Sequence, residues 1–243
     1  FFSKILSNFN YFNFLKNNFS NINFIFFLIL INLIGYFFYL IFLFISVNLL
    51  FVQLFMYSVV FFGIFNFFKF QFLKKKIKFI HNNYSYLFFI IILLYFFLSL
   101  SPITDPDSLE YHIGVPLYSI KYGIFFIKDY WLHSQLAGLG EALNIIGFST
   151  HSIQLPTFIQ FISILLLVSV IHYSKSPFFK NIPNKEKFFI YLIIVSCPVF
   201  LFLGNTAKPQ LFAIASSFIA FFLAFIVLPK EKKIENKKKL YLL

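Results

Sequence analysis

The sequence predicts an all-α, polytopic transmembrane protein of about six spans, with amphipathic surface helices in one large outside loop. Three observations predict it. Hydrophobic residues make up 60% of the chain and charged residues only 12%, against a charged share of roughly 25% in soluble domains. Six apolar stretches reach or approach the roughly 20 residues that a helix needs to cross a hydrocarbon core about 30 Å thick. Lysines gather in alternate connections between those stretches, the asymmetry expected of cytoplasmic loops.

The spans follow in order: Phe24 to Val47, Leu49 to Phe68, Tyr84 to Leu100, Ile153 to Tyr173, Phe188 to Leu203 and Leu211 to Leu228. The first two abut at Asn48 and read as a tight helical hairpin, with one long bent segment as the alternative. The first run is too long for a signal peptide and lacks a small-residue cleavage site. Lys69, Lys74, Lys75, Lys76 and Lys78 follow the second span, and Lys175, Lys180, Lys185 and Lys187 follow the fourth. Six more lysines lie between Lys230 and Lys239, whereas the intervening connections hold only Lys121, Lys128 and Lys208. Every even-numbered exit is therefore expected in the cytoplasm, together with the N-terminus and its Lys4 and Lys16.

Three regions result. Residues 1–83 form a cytoplasmic segment and a two-span hairpin, residues 84–228 form the core with its outside loop 101–152, and residues 229–243 form a lysine-rich cytoplasmic segment. The chain starts at Phe1 rather than Met and ends in Leu240-Tyr241-Leu242-Leu243 just after a lysine run. It reads as a fragment lacking a C-terminal part.

The remaining composition excludes more than it identifies. Phe occurs 43 times and arginine is absent, the bias of an AT-rich genome, so single phenylalanines carry little functional information. A net charge of +12 dispersed in short runs between apolar segments suits anionic lipid headgroups and topology, not nucleic acid, which asks for one basic face. Cys197 is the lone cysteine; it can form no intrachain disulfide and reads as a small apolar residue.

The outside loop holds five of the eight acids. Leu109, Ile113, Leu117 and Ile120 fall three and four residues apart within Asp107 to Tyr122, and Leu136, Leu139, Leu143 and Ile146 repeat the habit within Ser134 to Phe148. Both are expected as helices lying along the membrane surface. Tyr130-Trp131-Leu132-His133 between them reads as an interfacial aromatic anchor.

Asp105-Pro106-Asp107-Ser108-Leu109-Glu110-Tyr111-His112 opens that loop with three carboxylates and a histidine. Asp105 and Pro106 make a good helix start, as N-cap and first helical residue. Capping needs one short polar residue, so it leaves Asp107 and Glu110 unexplained. Ionisable groups converging beside a bilayer mark a site where something charged is bound or transformed. An outward carboxylate at this depth can take the proton of an acceptor hydroxyl, which makes Asp107 the first candidate base and Asp105 the second. His112 can assist by hydrogen bonding or by binding phosphate. A divalent metal on Asp105, Asp107, Glu110 and His112 is a further option, although no spacing diagnostic of zinc is present.

Two more candidates lie elsewhere. In Asn205-Thr206-Ala207-Lys208-Pro209-Gln210 a lone outward lysine precedes a helix whose free amides favour an anion; a snorkelling lysine is the plainer reading. Glu141, flanked by Gly140 and Ala142, can approach a membrane groove, while an exposed helix-surface glutamate is the default.

The acidic octapeptide resembles the signature of the first large outside loop in the GT-C superfamily of integral membrane glycosyltransferases, such as the protein mannosyltransferases and the aminoarabinose transferase type. Asp107 to His112 is similar to an Asp-x-x-x-Tyr-His form in bacterial members, Glu141 to the glutamate of a second juxtamembrane helix, and Thr206-Ala207-Lys208-Pro209 to the polar-Pro start of a later span. The likeness covers roughly Tyr84 to Leu228. It implies a polyprenyl-phosphate sugar donor, a lipid, glycan or protein acceptor, and inverting transfer outside a bacterial inner membrane. By the same resemblance Asp107 and Asp105 are catalytic, and Glu110, Tyr111, His112, Glu141, Lys208 and Gln210 bind substrate. The acidic loop usually follows the first span in that superfamily; here two extra spans precede it.

Other readings compete. A transporter or flippase of lipid-linked sugars would place ionisable residues near the midplane, in broken helices and related halves. A polysaccharide polymerase or ligase would use the same lipid-linked sugars. A non-catalytic scaffold would tolerate changes at Asp107.

Overall fold

The computed structural model describes residues 23–46, 48–71, 83–124, 131–136, 138–174 and 177–227. Among them every regular element is a helix, with no β-strand. In order these are α1 (Asn23–Phe44), α2 (Leu49–Gln71), α3 (Asn83–Ser99), a π-helical turn (Ser108–Ile113) running into α4 (Gly114–Tyr122), and a 3₁₀ turn (Leu132–Leu136). Then come α5 (Leu139–Ser149), α6 (Leu155–Tyr173), α7 (Pro177–Lys180), α8 (Asn184–Val195), α9 (Pro198–Leu203) and α10 (Gln210–Phe221), which widens into a second π turn (Phe222–Val227).

Among the described residues two helices are long and apolar enough to cross a membrane, over Phe27–Phe44 and Leu155–Tyr173. Shorter apolar helices cover Leu49–Val59, Asn83–Ser99 and Gln210–Ala224. The N-terminal segment, the lysine run 74–78, Tyr130 of the aromatic anchor and the segment 229–243 lie outside the described residues.

The expected fifth span is two helices. Pro198 cannot donate a backbone hydrogen bond, and it biases the residue before it away from helical geometry. Cys197 accordingly sits at φ −63°, ψ 122°. The break leaves the Val195 carbonyl without a helical partner, and the Tyr95 hydroxyl of α3 donates to it at 2.7 Å.

Helix α6 stands at the centre and packs on α10, α3 and α8, while α1 packs on α5. One apolar cluster joins Ile25, Phe38, Val52, Val115, Ile145 and Val170. A second joins Tyr95, Ile164, Tyr191, Val195 and Leu211, so α6 serves both. Buried polar side chains bind the helix ends: Thr157 donates to the Ser99 carbonyl at 2.6 Å, and Gln160 accepts the Phe212 amide of the first turn of α10 at 3.3 Å. These satisfy backbone groups that helix termini leave open.

The first loop helix keeps one face exposed, whereas the second does not lie on the surface as expected. Leu109 and Leu117 are about half exposed, whereas Ser108, His112, Val115 and Ser119 form the buried stripe. Ile113 of the expected apolar face is buried with them and Ile120 packs against the core, so the inward side combines apolar residues with small and polar ones. Helix α5 is buried from Glu141 to Ser149, consistent with a helix apolar on nearly all sides. It ends at His151, which takes a left-handed φ of 58°, while the Ser152 amide closes back on the Gly147 carbonyl at 3.0 Å.

Candidate functional site

The turn from α9 to α10, the start of the π turn and the start of α5 meet in one polar cluster. Asp105 is the N-cap expected from sequence, since its Oδ2 accepts the Ser108 amide at 2.9 Å and the Ser108 hydroxyl at 2.7 Å. The same hydroxyl accepts the Ala207 amide at 3.1 Å, which seats the α9–α10 turn on the acidic motif. A π turn of this kind interrupts a helix at a cost in backbone geometry and recurs at functional sites.

Lys208 completes the first half of the cluster. Its Nζ donates to Asp107 Oδ2 at 2.9 Å, lies 3.3 Å from Asp105 Oδ2, and sits 5.2 Å from the centre of the Phe202 ring. The lysine expected as a lone outward cation is thus buried and committed to two carboxylates. Asp107 differs from both partners: its side chain is 65% exposed, so it is the member open to a ligand.

These contacts set the charges. Burial works against ionisation of Asp105, but the hydrogen bonds from Ser108 and Lys208 outweigh it and hold its carboxyl below the usual carboxylate range. Burial likewise works against a charged Lys208, and the two aspartates outweigh it and raise its pKa. Burial, with Glu141 and Asp107 nearby, pushes the Tyr111 phenol up.

The second half is built on Glu141. Its Oε1 lies 2.6 Å from His112 Nδ1, and its Oε2 accepts the Gly138 amide at 2.6 Å. Both side chains are 4% exposed, so Glu141 is a buried partner of the acidic motif and not a helix-surface glutamate. Asn144, one turn further along α5, donates to the His112 carbonyl at 3.0 Å and lies 3.3 Å from the Ala207 carbonyl. It therefore ties all three segments together.

Of the residues singled out from sequence, Asp105, Asp107, His112, Glu141 and Lys208 converge here. The Tyr111 ring lies tilted against His112 with ring centres 3.8 Å apart, and Glu110 and Gln210 are exposed. Among the described residues no three His, Cys, Asp or Glu side chains are arranged to hold a metal ion; of the four proposed as ligands, Asp105 and Asp107 meet Lys208 and His112 meets Glu141. Sequence reasoning missed Ser108 and Asn144. A polar Asn three residues after Glu141 in an otherwise apolar helix was the available signal.

An apolar groove of about 420 Å³ runs between α1 and α10, lined among others by Ile25, Leu28, Leu33, Leu139, Ile219 and Leu223. Leu139, at the start of α5, is the lining residue from the helix that carries Glu141.

Residues 62–243 match the family model described as the DUF1420 N-terminal domain. No curated protein and no solved structure matches the chain.

Proposed function

The chain belongs to the DUF1420 N-terminal domain family, and we propose that it is a membrane glycosyltransferase moving a sugar from a polyprenyl-phosphate donor to an acceptor outside the membrane. The observation that carries this reading is the trio at the mouth of the cluster: an exposed Asp107 held by a buried Lys208 that also serves Asp105. It supplies what such a transfer asks for, a carboxylate within reach of an acceptor hydroxyl and a cation within reach of a phosphate.

The two are coupled. A donor phosphate reaching Lys208 competes with Asp107 for the same ammonium, so donor binding frees Asp107 to take the acceptor proton. The acceptor oxygen then attacks the anomeric carbon, the bond from that carbon to the phosphate oxygen breaks, and the lipid phosphate leaves with the electron pair.

The apolar groove between α1 and α10 has room for part of a lipid chain. The wider surface agrees with a bilayer: Leu33, Phe44, Leu50, Phe61, Phe97 and Ile193 are all exposed, an apolar coat that water would penalise. We read the chain as crossing a bacterial inner membrane about six times, with the broken α8–α9 pair as the fifth crossing, the N-terminus cytoplasmic and the acidic cluster periplasmic. Lysine placement supports that orientation.

The test is sugar transfer from a panel of radiolabelled polyprenyl-phosphate sugars in membranes carrying the whole protein, comparing wild type with Asp107→Asn at matched expression. Transfer lost in a folded variant supports both the activity and the base. Transfer that persists removes Asp107 from that role, and no transfer by either protein moves the reading to a transporter or a scaffold.

A further inference from the structure

The structure assigns His112 Nε2 as a hydrogen-bond acceptor for a substrate hydroxyl, held in the accepting tautomer by Glu141. The inference rests on the sugar-transferase reading for the identity of the hydroxyl, and on geometry for the rest.

Glu141 takes the Gly138 amide on one oxygen and faces His112 Nδ1 with the other, both at 2.6 Å. A carboxylate that accepts on both oxygens requires a proton on Nδ1, and in the neutral imidazole this leaves the lone pair on Nε2. Among the described residues Nε2 finds no hydrogen-bond partner, and it is out of contact with solvent. An unpaired buried lone pair is costly and an unpaired buried N–H more so, which again favours the tautomer with Nε2 bare.

The atom is also well placed. His112 lies one turn after Ser108 on the buried stripe, and Asn144 links its carbonyl to that of Ala207, next to Lys208. A ligand held at the Lys208 trio therefore has the imidazole as a near neighbour.

This geometry discriminates between two roles. A lone pair repels a phosphate oxygen and accepts from a hydroxyl, so His112 reads the sugar or the acceptor and leaves the phosphate to Lys208. A buried acceptor of this type selects strongly against analogues that lack the hydroxyl.

The test uses the whole protein with ¹⁵N-labelled histidine in nanodiscs, and His112→Asn as the variant. Asparagine keeps a donor for Glu141 and removes the edge of the ring that carries Nε2. We expect the His112 proton on Nδ1, and an Nε2 resonance that moves on adding polyprenyl-phosphate hexoses or pentoses but not polyprenyl phosphate alone. The variant should melt like wild type and bind the responding sugar lipid roughly tenfold more weakly, the scale of one hydrogen bond. A proton on Nε2, an equal response to bare polyprenyl phosphate, no response to any sugar lipid, or unchanged affinity in the variant would each overturn the assignment.

Transfer measured in the same nanodiscs separates the two claims. A responding Nε2 without transfer keeps the hydroxyl site and removes the transferase reading; transfer with a silent Nε2 does the reverse. Should the variant fail to fold, the wild-type resonances decide alone.

Discussion

Gly140 and Pro209 are packed so closely that a β-carbon on Gly140 would overlap the proline ring. The contact presses the start of α5, which carries Glu141, against the turn that carries Lys208, and so sets the distance between the two halves of the polar cluster. Gly140→Ala must push them apart. Overpacking of this kind costs about 1–3 kcal/mol, and the expected result is a lower melting temperature in detergent together with loss of sugar transfer. A variant that melts and transfers like wild type would show that the contact does not set the cluster.

Lys208 and Asp107 should separate stability from activity. Lys208→Met leaves Asp105, whose side chain is 15% exposed, without its cation. Breaking a fully buried pair costs about 3–5 kcal/mol, and partial exposure reduces that here to roughly 2 kcal/mol. Asp107→Asn removes an exposed partner, so its cost stays below about 1 kcal/mol, whereas loss of a general base lowers transfer by about 100-fold or more. Denaturant unfolding set beside transfer rates checks the contrast, and equal destabilisation by the two changes would count against it.

Much of the helical layout was legible because hydropathy alone marks long apolar helices. The stretch read as Phe24 to Val47 is helical over Asn23–Phe44, and Ile153 to Tyr173 over Leu155–Tyr173. The break at Pro198 was equally written in the sequence but was read through, since an apolar average hides one missing donor. The burial of α5 and the inward face of α4 were not legible, because the apolar period does not say whether the surrounding medium is water or lipid. The site was half visible. Residue types drew attention to Asp107, His112, Glu141 and Lys208, but Lys208 lies 101 residues from Asp107, and only the fold shows that its charge is already engaged.

Glu141 should be more costly to remove than any exposed carboxylate. Glu141→Ala strands the buried His112 Nδ1–H and the part-buried Gly138 amide; a fully buried donor left unpaired costs about 1–3 kcal/mol, and a part-buried one less. We expect roughly 2–4 kcal/mol of destabilisation, while Glu141→Gln keeps an acceptor oxygen and recovers part of it. Melting of the two variants side by side is the check, and an alanine variant as stable as wild type would mean that water replaces the carboxylate in the folded chain.

The Asp105–Lys208 pair predicts how stability follows pH. The folded-state pKa of Asp105 is lowered, so its contribution is full above the ordinary carboxylate value of about 3.9 and disappears as pH falls through the lower folded value. Lys208 carries the opposite sign: its pKa is raised, so its contribution is full below the ordinary value of about 10.4 and is lost as pH rises through the higher folded value. The Asp105–Lys208 pair should therefore add a flat stabilisation between roughly pH 5 and pH 10. Removing Lys208 takes away one of the interactions that lower the Asp105 pKa, which moves it back toward the ordinary value and weakens the acid dependence. Melting curves in nanodiscs from pH 3 to pH 7 should fall more steeply for wild type than for Lys208→Met, converging at the acid end; parallel curves would show that Lys208 does not hold the Asp105 carboxylate.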